Sequence, residues 1–221
     1  IDPLDYYRQK GFAVFLSTKL VKFTQFRLQY NDLDQQSVPL ATDYALFNRD
    51  HLQRDNPQIV DGRLRSISAS IQYDSRPLLK SKGRDFFFNM LTYTRITLGA
   101  EIAESSFIES DFDFQRYFVR LHRTQRTFNF GLTTIDALAA TSSGRLPPQR
   151  YFTVDFGNGV FLQGGGFNTM NERNFSGNRT AMIVVNHNFD QQLFRMSHLP
   201  LIRDLPVTLN VHGGAFWTDF V

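Results

Sequence analysis

About eight short segments of the chain alternate apolar and polar residues, and aromatic side chains crowd them. Phe occurs 23 times in 221 residues, yet the mean hydropathy is -0.30. So many rings with so little net hydropathy must be spread along one face of many strands. Period-two alternation is the strand pattern. A chain in which every second side chain meets hydrocarbon and its neighbours meet a wet cavity reads as a transmembrane β-barrel. No stretch approaches the roughly 18 consecutive apolar residues of a membrane helix.

The segments predicted as strands are 11–20, 22–31, 64–74, 85–101, 112–122, 127–139, 179–189 and 206–217. Phe26, Leu28 and Tyr30 alternate with Arg27, Gln29 and Asn31. Ile67, Ala69, Ile71 and Tyr73 share one face, with Ser66, Ser68, Ser70 and Gln72 opposite. Tyr117, Val119 and Leu121 oppose Arg116, Phe118, Arg120 and His122, and Val207, Leu209, Val211, Ala215 and Trp217 share a face in the last segment. The stretch 85–101 is long for a globular strand and suits a tilted spanning one. The two longest joins, 32–63 and 140–178, fall at the second and sixth positions and so lie at the same end. The short joins at 21 and 123–126 lie at the other, the arrangement of short turns and long loops found in outer-membrane barrels. Tyr73, Tyr117, Phe216 and Trp217 are candidates for interfacial aromatic girdles.

Composition excludes more than it assigns. The net charge of +3 is mild and the basic residues are scattered, against nucleic-acid binding. With no Cys there is no disulfide, thiolate metal site or cysteine nucleophile. His51, His122, His187, His198 and His212 lack metal-ligand spacing and read as ordinary strand or loop residues. The acidic stretch Glu101, Glu104, Glu109, Asp111 and Asp113 reads as a solvated loop rather than a calcium site. No G-x-S-x-G elbow or nucleotide-binding glycine pattern is present. The chain is expected not to be an enzyme, with no catalytic residue, no cofactor and no metal.

The second long join is more specific. Gly144-Arg145-Leu146-Pro147-Pro148-Gln149-Arg150-Tyr151-Phe152 leads to Gly164-Gly165-Gly166-Phe167-Asn168, then to Gly177-Asn178-Arg179. This resembles the barrel of the BamA-like surface-antigen superfamily, whose lumen loop runs L-P-x-x-x-(Y/F)-F, G-G, R-G-F/Y and G-(N/D)-x. Asp74-Ser75-Arg76-Pro77, with Gly83 later, is similar to that family's periplasmic Y-D-x-R-x…G turn. The opening Asp5-Tyr6-Tyr7-Arg8 and the phrase Gly165-Gly166-Phe167-Asn168-Thr169-Met170 look most like a branch found largely in Bacteroidota. One departure matters. The family's loop carries Arg before Gly-Phe and locks it to acids on the inner wall, whereas Gly165 stands there in this chain. Arg173 and Arg179 are the candidates to replace it.

The resemblance implies an all-β fold, an antiparallel transmembrane barrel. About eight strands are visible here, part of a sixteen-stranded whole with about five strands upstream and three downstream. Ile1-Asp2-Pro3-Leu4-Asp5 has no signal-peptide character and Asp219-Phe220-Val221 lacks a terminal-aromatic strand ending, so an internal piece of a longer barrel is expected. It implies a bacterial outer-membrane location among lipids and lipopolysaccharide. The expected activity is assisting insertion or translocation of client polypeptides, with accessory envelope proteins as further partners and no nucleic acid. Arg27, Arg116 and Arg120 are expected to face the lumen, holding water and contacting loop acids. Gly165, Gly166, Phe167, Gly177, Asn178 and Arg179 are expected to form the lumen loop, and Asp74, Arg76 and Gly83 the periplasmic turn. Two alternatives stand beside this: a diffusive pore or lipid/solute transporter, and a barrel anchoring a soluble enzyme or binding domain encoded outside these residues.

Overall fold

The computed structural model describes residues 7–39, 59–81, 84–88, 90–128, 130–154, 175–196 and 207–219. In chain order the elements are β1 Arg8–Val21, β2 Thr24–Gln36, β3 Gly62–Asp74, β4 Leu78–Ser81, β5 Arg84–Phe87, β6 Tyr93–Ala103, α1 Ser105–Ile108, β7 Phe114–Arg126 and β8 Leu132–Gly144. They continue with β9 Phe152–Val154, β10 Phe175–Gly177, β11 Arg179–Asp190, α2 Gln192–Met196 and β12 Leu209–Thr218. The fold is all-β. Eight strands form one sheet in the order β1-β2-β3-β6-β7-β8-β11-β12, every neighbour antiparallel. β4 and β5 make a separate two-stranded ribbon, as do β9 and β10. Among the described residues β1 and β12 are the two edges of the large sheet and do not pair with each other.

Register carries the sequence alternation across the whole sheet, because a side-chain period of two holds each strand's apolar set on one side. Phe26 opposes Ile71, Ile71 opposes Leu98, Leu98 opposes Val119, and Val119 opposes Ala139. Ala139 opposes Ala181, and Ala181 opposes Trp217. One residue along, the other face reads Arg27, Ser70, Gly99, Phe118, Ala140 and Thr180. The first face is uncovered: Ile71 is 41% exposed, Val119 45%, Ile183 46% and Val211 54%. A sheet that packs in a sandwich buries such residues under a second layer.

The buried clusters lie on the opposite, polar face. Leu64, Ala103, Phe112, Phe114 and Leu146 pack together, with Leu33 and Tyr151 against them. Val184 packs with Phe175, Met182 and Phe216. The glycine of β6 on this face makes room for a ring: a Cβ on Gly99 would lie 2.3 Å from Phe118.

The meander separates two ends. Joins 22–23, 75–92, 127–131 and 191–208 lie at one, the turn end. Joins 37–61, 104–113 and 145–178 lie at the other, the loop end, so the two long joins do share an end. One expected strand is not a single strand. Within 85–101, Arg84–Phe87 folds back on Leu78–Ser81, and the large sheet takes only Tyr93–Ala103. The chain bends at Leu91 and Thr92 between the two pieces. The strand expected at 127–139 starts at Leu132, because Thr127 to Gly131 forms the turn closed by the Thr127 N–H donating to the Gly131 carbonyl at 3.0 Å.

Candidate functional site

The polar face is furnished by the chain that leaves β8. Gly144 (φ 81°) ends the strand where a Cβ would lie 2.5 Å from the Asp113 carbonyl oxygen, and the next amide, of Arg145, donates to that same oxygen at 2.9 Å. Leu146 then drops into the apolar cluster at the loop end. Pro147, extended, stiffens the approach to a single 3₁₀ turn, Pro148–Arg150. That turn aims two side chains back at the sheet. The Gln149 amide donates to Gln35 Oε1 (3.1 Å) and to the Val60 carbonyl (2.8 Å). The Arg150 guanidinium pairs with Glu101 on β6. Phe152 follows, buried beneath the guanidinium of Arg116, which lies 4.6 Å from its ring centroid.

Glu101 is the hub of this face. It is 8% exposed and lies on β6 opposite Ser68 and Arg116. The Ser66 hydroxyl donates to it at 2.8 Å, and Arg116 Nη1 stands 3.5 Å from its second oxygen. A relay runs on through neighbouring strands: Asn31 Nδ2 donates to Ser66 Oγ at 3.0 Å, and Gln29 Nε2 to Asn31 Oδ1 at 2.6 Å. Removing a carboxylate from water is costly unless cations and donors replace its hydration, and here two guanidiniums and a hydroxyl do so.

A second network occupies the turn end. Asp74, 1% exposed, closes β3. Arg76 forks onto it, Nε to Oδ1 at 2.9 Å and Nη2 to Oδ2 at 2.6 Å, while Arg95 Nε reaches Oδ2 at 3.0 Å. The backbone amide of Asp74 donates to the Phe23 carbonyl in the β1–β2 hairpin at 2.9 Å. The hydrogen bonds that Arg76 donates to Asp74, then the negative charge of that carboxylate, hold the Arg76 pKa above its ordinary value. Arg76 also covers the Tyr93 ring at 4.2 Å, Tyr93 Oη meets His122 Nε2 at 2.8 Å, and His122 Nδ1 meets Asp136 Oδ1 at 2.7 Å. One continuous contact path thus joins β3, β6, β7 and β8.

The residues singled out by sequence fall as follows. Arg27, Arg116 and Arg120 all lie on the polar face, by register with Ser70, Glu101 and Thr97. Among the described residues Arg116 meets Glu101 and the ring of Phe152. Arg27 donates to Gln29 at 2.9 Å and lies over Phe15, and Arg120 is exposed. Asp74 and Arg76 meet in one fork, while Gly83 lies outside the described residues. Gly165, Gly166, Phe167 and Arg173 also lie outside them. Gly177 pairs with Phe152, the Asn178 carbonyl accepts from Ser142 Oγ at 3.1 Å, and Arg179 opens β11. Arg179, by its register with Thr141, lies on the uncovered face and not on the polar face. Phe216 leaves the expected girdle: one residue from outward Trp217, it packs on the polar face against Phe175. In the acidic stretch, Glu101 is buried rather than solvated, and Asp113 accepts the Ser105 amide at 2.6 Å and its hydroxyl at 3.1 Å. Those bonds, the amide first, hold the Asp113 pKa below the usual carboxylate range.

Sequence reasoning missed Glu101 and Arg150 as partners, since neither has a local signal for the other. Among the described residues no group of His, Asp and Glu is placed to hold a metal, and no helix is long and apolar enough to cross a membrane. Compared with protein-family models, curated proteins and solved structures, the chain matches none.

Proposed function

We propose that this chain is the wall of a bacterial outer-membrane β-barrel of the BamA-like kind, which assists insertion or translocation of polypeptides. The observation that carries the reading is the uncovered apolar face spanning all eight strands, backed by a polar face onto which a loop has docked. An apolar surface this extended is not left against water by a monomeric soluble protein.

The outward face is banded in the way a bilayer requires. On β3, residues 67, 69, 71 and 73 are apolar between Arg65 and the turn end. Roughly eight residues at about 3.3 Å each give about 26 Å along the strand. A tilt near 40° shortens this to about 20 Å, slightly thinner than the ~25 Å of known barrels. Charges bound the band at the loop end, where Arg63 pairs with Asp32 at 2.6 Å and Arg65 with Glu109 at 2.7 Å. Tyr30, Tyr117 and Trp217 stand toward that rim and Tyr73 toward the other, as interfacial aromatics do.

In this reading β1 and β12 pair with further strands, the polar face lines the lumen, and the loop held by Arg150 narrows it. The assembly role has its own test. The protein reconstituted in liposomes is given an unfolded outer-membrane polypeptide, and protease-protected, folded client is measured over time. Insertion faster than into empty liposomes is expected. Membrane-embedded protein that leaves the client rate unchanged would overturn the assembly role.

A further inference from the structure

We propose that the polar face carries an oxyanion site, formed by Arg27, Arg116 and Arg150, that takes a phosphate or carboxylate group. Arg27, Arg116 and Arg150 line a single cavity of about 340 Å³ with Glu101, Ser68 and Ser70. Among the described residues that line it, three are cations and one is a carboxylate. Glu101 is already engaged by Arg150 and Ser66, with Arg116 at 3.5 Å. Arg150 Nε is buried and has no hydrogen-bond partner among the described residues. Arg27, across the cavity, spends its described contacts on a neutral amide and a ring, at 2.9 and 4.1 Å, and neither cancels its charge.

Arg116 and Arg150 are half-buried and share one carboxylate, an excess of positive charge that is costly away from water, and Arg27 adds an exposed cation beside them. An anion entering the cavity offsets that cost, and planar guanidiniums bind two oxygens of a phosphate or carboxylate side by side. The hydroxyls of Ser68 and Ser70 add donors on the wall. The volume admits a small phosphorylated or carboxylated solute.

This site requires the polar face alone, not a bilayer around the sheet. Titrating the whole chain in detergent solution with inorganic phosphate, and separately with acetate, by calorimetry tests it at constant ionic strength. Saturable binding of one of them, at least tenfold tighter than chloride, is expected, and the preferred anion identifies the group. Arg27→Gln should weaken binding about tenfold, while Arg123→Gln on the outward face leaves it unchanged. If Arg27→Gln does not fold, phenylglyoxal labelling of the wild type gives the same decision. Bound anion should slow modification of Arg27 and Arg116 but not of Arg123. Binding no tighter than chloride, equal losses at Arg27 and Arg123, or unprotected Arg27 would overturn the site. Membrane embedding is untouched by such a failure, and loss of the membrane reading leaves the site standing.

Discussion

Arg150, in the loop that follows β8, pairs with Glu101 on β6, 49 residues away in sequence. With Gln149 on Gln35 it pins that loop to the polar face from two sides.

Breaking this pair should free the loop without dissolving the sheet. Arg150→Gln leaves Glu101 with Arg116 and Ser66, so a loss of about 1–3 kcal/mol is expected. Limited trypsin digestion should cut 145–178 faster in the variant, with far-UV circular dichroism unchanged. A double-mutant cycle with Glu101→Gln should return a coupling of about 1–3 kcal/mol. Additive effects would mean that the two side chains do not support each other.

Asp74 holds two guanidiniums and a hairpin carbonyl at the turn end, so Asp74→Asn should be among the more damaging polar substitutions. Removing one partner of a buried charge pair costs about 3–5 kcal/mol. Thermal unfolding in detergent should show a large drop in Tm. Arg76→Lys should fall between, since it retains the charge but loses the fork and the flat contact with Tyr93. An Asp74→Asn protein as stable as the parent would remove the turn network from the account.

Gly99 and Phe118 face each other on the polar side, and a Cβ at 99 would overlap the ring. Gly99→Val should destabilise by about 1–3 kcal/mol. Adding Phe118→Leu should recover part of that loss in chemical denaturation. No recovery would place the strain elsewhere.

Asp113 accepts both the amide and the hydroxyl of Ser105, and its pKa in the folded protein lies below the unfolded value. Its contribution is therefore present above the unfolded pKa and lost as pH falls through the folded one. Carboxyl NMR should find Asp113 titrating below free Asp, and Asp113→Asn should abolish the local acid-induced change around Ser105. Titration at or above the free value would contradict these hydrogen bonds.

Alternation made much of the fold legible. Phe26, Leu28 and Tyr30, Ile67 to Tyr73, and Tyr117 to Leu121 lie together on one face, because antiparallel register transmits period two without slippage. The 85–101 segment was misread because Asp85-Phe86-Phe87-Phe88 has the rings of a membrane strand. The ribbon is set by the pairing of Leu78–Ser81 with Arg84–Phe87. Phe216 was misplaced against the rule that adjacent strand residues face opposite ways. Asp74 and Arg76 stand out in the sequence as a turn motif by resemblance, and their fork is a local contact that the structure adds. Glu101 with Arg150 could not be read from spacing, since only tertiary register and the 3₁₀ turn bring them together.

The central claim, that the outward face meets hydrocarbon, is tested most directly by spin labels on single cysteines in lipid vesicles. The chain has no native Cys to remove. Labels at 71, 119 and 183 should be accessible to oxygen and shielded from a water-soluble nickel chelate, and labels at 68, 70 and 97 should show the reverse. Equal access of the chelate to both sets, or outward labels immobilised inside packed protein, would contradict it.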